Sequence, residues 1–145
     1  MCILEVEMSQ LLQEIEALRK PMKELNDFIF DHPELGNEEF KAHELLTNLL
    51  EKEGFTVDRE VSGLKTAFRA VYHVNGGGPK VGLLCEYDAL EGLGHACGHN
   101  LQGPSICTAA IALKRTLQAP CTLVVYGTPA EETASGKLVM AREGV

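Results

Sequence analysis

Two short runs of β-forming residues, 80–87 and 121–127, flank a segment, 101–117, whose apolar residues Ile106, Ala109, Ala110 and Leu113 have helical spacing. Few arrangements suit that order. Strands joined through a helix run parallel, and the crossover is right-handed. Both runs are apolar through their middles, which predicts strands buried on both faces. In such sheets ligands bind beyond the carboxyl ends of the strands. The first run ends on Glu86-Tyr87-Asp88 and leads into Gly94-His95-Ala96-Cys97-Gly98-His99-Asn100; the second leads into Thr128-Pro129-Ala130-Glu131-Glu132. Two sets of chemically capable residues, some 30 positions apart, therefore meet at one rim.

The rest of the chain supplies the other layers of an α/β domain, with helices packed on a mixed, partly parallel sheet. From Ser9, a plausible N-cap, apolar residues fall at Leu11, Ile15, Leu18, Met22, Leu25 and Ile29, one stripe along a helix that Pro21 should kink or break near Lys20. His32-Pro33 and Gly36 mark a loop. A second helix follows, with Asn37 as N-cap, Glu38 and Glu39 favouring its positive end, Ala42, Leu45, Leu46, Leu49 and Leu50 as its buried face, and Gly54 as its stop. Residues 55–57 are extended, and 66–74 is rich in β-formers. The turn Asn75-Gly76-Gly77-Gly78-Pro79 predicts that 66–74 forms a hairpin with 80–87. Pro104 fits the central helix only in its first turn. Residues 135–143 form a last short helix stopped by Gly144. With 145 residues, 45% of them hydrophobic, and no linker or repeat, one domain spanning 1–145 is expected.

Composition narrows the partners. A formal net charge of -8 lacks the basic footprint that nucleic acid requires. No stretch approaches the ~20 apolar residues of a membrane span. Residues 1–7 lack a basic region and carry two glutamates, so they do not read as a signal peptide, and Met8 is an alternative start. The cysteines at 2, 85, 97, 107 and 121 are odd in number and form no Cys-x-x-Cys pair. Together these predict a reducing, cytoplasmic setting, with Cys85, Cys107 and Cys121 as packed thiols.

Cys97 and His99, one residue apart in a glycine-flanked loop, are good zinc-type ligands, and the helix start just after them favours a thiolate at Cys97. His95 reads as a loop residue, a second hydrogen-bonding contact or, least readily, a ligand. His32 and His43 read as surface or core-edge residues. Glu131 and Glu132 read two ways. One carboxylate can bind a metal while its neighbour accepts a proton; equally, Thr128-Pro129-Ala130-Glu131 has the pattern of a helix start with Thr128 as N-cap. Glu86 and Asp88 either orient ligands or bind a cation at the rim, or are solvated surface groups. The glycines at 92, 94 and 98 resemble a loosened dinucleotide fingerprint, but the following strand ends on Gly127-Thr128 rather than on an acidic residue.

These residues resemble the metal-dependent aminoacylase and carboxypeptidase family of amidohydrolases along most of the chain. His32-Pro33-Glu34-Leu35-Gly36 with Glu38-Glu39 is similar to the family's N-terminal segment. Glu86-Tyr87-Asp88-Ala89-Leu90 with the 94–100 motif is similar to its first metal motif, and residues 127–132 to its double-glutamate motif. The wording at 86–90 and Asn100 stand nearest the aminoacylase-one-like dipeptidases that cleave Xaa-Arg and β-alanyl-lysine dipeptides. The aminobenzoyl-glutamate and auxin-conjugate hydrolases are further off.

The resemblance implies a phosphorylase/hydrolase-like metallopeptidase catalytic domain that binds two divalent ions, zinc or manganese. It implies Cys97 as the ligand bridging the ions, His99 and Glu132 as ligands to one or the other, Glu131 as general base and acid, and Asp88 as a supporting residue. The substrates would be dipeptides or N-acyl amino acids, some with a basic C-terminal residue. Family members are much longer. They carry a lid domain that dimerises and two further histidine ligands after the double glutamate, whereas no histidine follows His99 here. The expectation is an N-terminal portion of the catalytic domain of a protein that is homodimeric when whole, the lid being absent. The alternative is an inactive truncated form with a partial metal site.

Overall fold

The chain order is α1 (Ile3–Asp31), α2 (Phe40–Lys52), β1 (Thr56–Arg59), β2 (Phe68–Val74), β3 (Lys80–Cys85), α3 (His99–Thr116), β4 (Cys121–Gly127) and α4 (Gly136–Arg142). The computed structural model describes residues 3–145, with side chains from Met8 onward. Cys2 and the side chains of residues 3–7, on which the signal-peptide reading rests, lie outside that description.

The sheet has the order β1-β2-β4-β3, with β3 parallel to β4 and the other pairs antiparallel. β3, α3 and β4 form the expected crossover. The expected hairpin between β2 and β3 does not form, because β4 lies between them: Phe68 pairs with Gly127 and Val74 with Cys121, while Lys80 pairs with Thr122 and Cys85 with Gly127. Adjacency in sequence predicted the hairpin, but the parallel crossover gives both strands the more apolar β4 as partner. β4 is the buried strand; Leu123 and Val125 are fully enclosed. β3 is not buried on both faces. It is an edge strand of this sheet, with Val81 43% and Leu84 47% exposed.

Leu123, Val125, Phe68, Ala70 and Cys85 meet Leu46 and Leu50 of α2, Cys107, Ala110 and Ile111 of α3, and Leu18, Met22 and Ile29 of α1 in one core. The stripe on α1 is therefore used as predicted toward its C-terminal half, whereas Ile15 is 38% exposed. α1 runs without a break through Pro21. The missing N–H leaves the Ala17 carbonyl without its helical donor, but Ala17 and Pro21 both face solvent, where water satisfies that group. Ser9 lies inside this helix and does not cap it. Pro104 is also accommodated, within the second turn of α3 rather than the first, since α3 already begins at His99.

α2 buries Ala42, Leu46 and Leu50 of its predicted face, leaves Leu45 and Leu49 half-buried, encloses His43 and Thr47 as well, and is followed by the left-handed Gly54. Its N-terminus differs. Asn37 is in the left-handed region (φ 66°) and does not cap. Glu34 does so instead, its carboxylate accepting the N–H groups of Lys41 (2.9 Å) and Ala42 (3.1 Å). No helix among the described residues is long and apolar enough to cross a membrane.

Candidate metal centre

The site forms where β3 and β4 end. Beyond β3, alternation of an extended chain sends Tyr87 into the core and leaves Glu86 and Asp88 on the other side. Tyr87 is fully buried, stacked on Phe68, and donates its hydroxyl to the Thr66 carbonyl. The segment then turns through Gly92 and Gly94, and a bridge between Leu90 and Gly94 closes the loop. The loop is held from below, because Ala89 donates its N–H to the Glu34 carbonyl at 2.8 Å. The motif thus enters α3 through the left-handed Gly98 (φ 85°), which delivers His99 as the first helical residue.

After β4, Thr128 does not start a helix. Its N–H donates to the Cys85 carbonyl at 2.8 Å and its hydroxyl leans on the same atom, so it continues the pairing with β3. Residues 131–134 are turns and α4 begins only at Gly136. A tertiary hydrogen bond has displaced the local capping pattern, and the helix-start reading of Glu131 is overturned. Ala130 adopts φ 56°, and its N–H is accepted by the buried carboxylate of Glu39 at 2.8 Å. Glu39 also accepts the Thr66 hydroxyl at 2.7 Å, so it ties the double-glutamate loop to the strand layer rather than serving the α2 dipole. Gly36 closes the loop from the third side: a Cβ there would stand 2.8 Å from the Ala130 Cβ.

His99 is at the centre. It is 8% exposed, and its Nδ1 lies 2.9 Å from Asp88 Oδ1. Since a carboxylate only accepts, Nδ1 carries a proton, and Nε2 is the ring atom turned toward the cluster. Around Nε2 stand Glu86 Oε2 at 3.4 Å, Glu132 Oε1 at 3.9 Å and Glu131 Oε2 at 4.0 Å. Asp88 is fully buried, and its second oxygen accepts the Glu132 N–H at 3.0 Å. One carboxylate therefore orients both the imidazole from the first motif and the backbone of the second.

Two overlapping sets have donor atoms close enough to share a cation: Cys97, His99 and Glu132, and Glu86, His99 and Glu131, each set lying within 4.8 Å. A thiol, an imidazole and a carboxylate converging on one point is a donor set that zinc accepts. Cys97 is held as a thiol, its Sγ directed at the Asp88 carbonyl at 3.5 Å. Burial pushes its pKa up, the His99 backbone N–H works the other way, and the Glu132 carboxylate adds to the rise. These opposing effects bear on the thiolate expected from the α3 N-terminus, and a divalent ion at this place would favour it by displacing the thiol proton.

His95 belongs to neither set. It is buried with both ring nitrogens unpaired, and burial, with the His99 charge next, pushes its pKa down. His43 is also buried, edge-on to Phe68, and His32 stacks on Phe28 at the surface. Cys85, Cys107 and Cys121 are buried and unpaired, as packed thiols.

Lys137 of α4 carried no signal in the sequence. Its Nζ pairs with Glu86 Oε1 at 2.8 Å and Glu131 Oε1 at 2.9 Å. The ammonium beside it holds the Glu131 carboxyl below the usual carboxylate range, against a small opposing effect of burial.

No family model matches the chain. Over 90% of its length it is 43% identical to one of the p-aminobenzoyl-glutamate hydrolase polypeptides of Escherichia coli, covering 31% of that protein. Over 97% of its length it is 38% identical to the Xaa-Arg dipeptidase of Mus musculus, covering 36%. A solved Bacillus subtilis structure, described as a dinuclear metal binding peptidase from the M20 family, superimposes with a TM-score of 0.80 at 26% identity, over 89% of this chain and 40% of that one. The chain spans about a third of the length of the curated relatives it matches. It is related to the M20-family amidohydrolases and corresponds to one part of them.

Proposed function

We propose that the chain is a portion of the catalytic domain of a metal-dependent amidohydrolase or dipeptidase. The observation that carries this is the convergence on His99 Nε2 of carboxylates from two strand ends, with Cys97 and Glu132 close enough to share a cation with it. Cys97, His99 and Glu132 are the residues of this chain that would hold the divalent ions. Thiol and imidazole donors favour zinc over manganese. Bound ions supply Lewis acidity that lowers the pKa of water and polarises an amide carbonyl.

The remaining work falls to the chain. Asp88 keeps the His99 proton on Nδ1 and fixes the Glu132 backbone. Glu131, held on its Oε1 by Lys137, keeps Oε2 toward the cluster to accept a proton from water and deliver it to the leaving amine. The proposed substrates are dipeptides or N-acyl amino acids. The names of the relatives, a p-aminobenzoyl-glutamate hydrolase and Xaa-Arg dipeptidases, support that class. A reducing, cytoplasmic setting is proposed from the unpaired thiols among the described residues, and a homodimer for the longer protein.

The test is hydrolysis of Xaa-Arg, Xaa-Lys and aminobenzoyl-glutamate substrates by the zinc- or manganese-loaded chain, alone and with the following segment of its gene joined to it. Turnover that is lost in Glu131→Gln while metal is retained supports the proposal. Turnover only after the added segment assigns this chain a partial site. No turnover in either form contradicts it.

A further inference from the structure

The two candidate cation sets share His99, whose Nε2 lies 3.4 Å from Glu86 Oε2, 3.9 Å from Glu132 Oε1 and 4.0 Å from Glu131 Oε2, and one ring nitrogen serves one ion at a time. Something must decide between them. Lys137 pairs with the second set alone: its Nζ contacts the Oε1 atoms of Glu86 and Glu131, while the Oε2 atoms of the same carboxylates face His99 Nε2 at 3.4 and 4.0 Å. Each carboxylate thus spends one oxygen on the ammonium and aims the other at the imidazole. Among the described residues, no lysine or arginine pairs with Glu132 or Asp88.

We propose that Lys137 is a positioning residue, the tethered cation of the Glu86–Glu131 pair, which closes that pair to divalent ions and so directs metal to Cys97, His99 and Glu132. This rests on reading those three residues as the metal ligands. The consequence for chemistry is that Glu131 is kept from becoming a ligand and stays available for proton transfer. The physical basis is charge. A divalent ion bound to Glu86 and Glu131 would sit within a few ångströms of a tethered ammonium, and even at a dielectric near that of water that repulsion lowers affinity by about ten- to a hundredfold. An ordinary surface ion pair would add little to stability and would not choose between metal sets.

The experiment is a zinc titration, by calorimetry and by equilibrium dialysis, of the wild-type chain, Cys97→Ser, Lys137→Met and the double variant. Cys97→Ser is expected to weaken zinc binding. Adding Lys137→Met to it is expected to restore affinity by about ten- to a hundredfold through the vacated Glu86–His99–Glu131 set. A further Glu86→Gln should abolish that gain. Lys137→Gln, neutral but still able to donate to both carboxylates, should act like Lys137→Met and guards against a folding defect; Lys137→Arg should act like wild type. If both neutral variants leave the zinc affinity of Cys97→Ser unchanged or weaken it, the proposal is overturned. Failure of the wild type to bind zinc would instead remove the Cys97 assignment, and the double variant compared with Cys97→Ser would still decide the role of Lys137.

Discussion

The Asp88→Asn variant changes one oxygen to an amide nitrogen at nearly constant volume, and the structure makes the outcome calculable. Asp88 is fully buried and accepts two N–H donors, His99 Nδ1 at 2.9 Å on Oδ1 and the Glu132 backbone at 3.0 Å on Oδ2. An asparagine offers one accepting oxygen, so either orientation of its amide sets an N–H against an N–H. Leaving one buried donor unpaired costs about 1–3 kcal/mol. Removing a negative charge from among Glu86, Glu131 and Glu132 relieves some repulsion, so the metal-free loss belongs at the lower end of that range. The larger effect falls on metal. With the carboxylate gone, His99 Nδ1 is left with a neutral amide and the residue-88 backbone carbonyl, 3.2 Å away, to fix its tautomer, and second contacts of this kind are worth about ten- to a hundredfold in affinity. Zinc competition titration reads the second number, and urea unfolding with a chelator present reads the first. Zinc affinity within about twofold of wild type, far short of the usual effect, would refute the claim that Asp88 organises the site.

Two further predictions concern the scaffold. Glu39 is fully buried, and burial raises its pKa above the ordinary 4.5 against the pull of the Thr66 and Ala130 bonds. A carboxyl whose folded pKa is raised contributes stability that is full below the unfolded value and is lost as pH climbs through the folded one. Glu39→Gln, which can accept from Ala130 and donate to Thr66, should therefore gain on wild type as pH rises from about 4 to 7 in urea unfolding. Glu39→Ala should cost about 2–4 kcal/mol by stranding both partners; a pH-independent difference for Glu39→Gln would contradict the argument. In Gly127→Ala the added Cβ would stand 2.1 Å from the Phe68 ring. Overpacking of this kind should cost about 1–3 kcal/mol or more, and an unchanged thermal midpoint would count against the core as described.

The parts of this molecule that were legible in the sequence are those whose signal is periodic or chemically dense. The β3-α3-β4 crossover followed from two apolar runs around a helical spacing, and it alone predicted that Glu86, Asp88, Cys97 and His99 would share a rim with Glu131 and Glu132. Local patterns misled where a distant partner offered the backbone a better bond. Thr128 has every mark of an N-cap, yet the Cys85 carbonyl claims its N–H; Asn37 yields the α2 cap to Glu34. The hairpin between β2 and β3 failed because pairing depends on which strand is most apolar as well as on which is next in the chain. Lys137 had no motif to announce it, and Glu39 stood in one that read only as a helix start or a family likeness, since the bonds each makes exist only once α4 and α2 are folded against the strand ends.

The central claim is that Cys97, His99 and Glu132 form a metal site in this chain. Zinc K-edge absorption on the loaded protein tests it most directly. The account predicts a sulfur ligand at ~2.3 Å together with imidazole nitrogen at ~2.0–2.1 Å, with the sulfur contribution lost in Cys97→Ser. A spectrum of nitrogen and oxygen ligands alone, identical in wild type and Cys97→Ser, would contradict it.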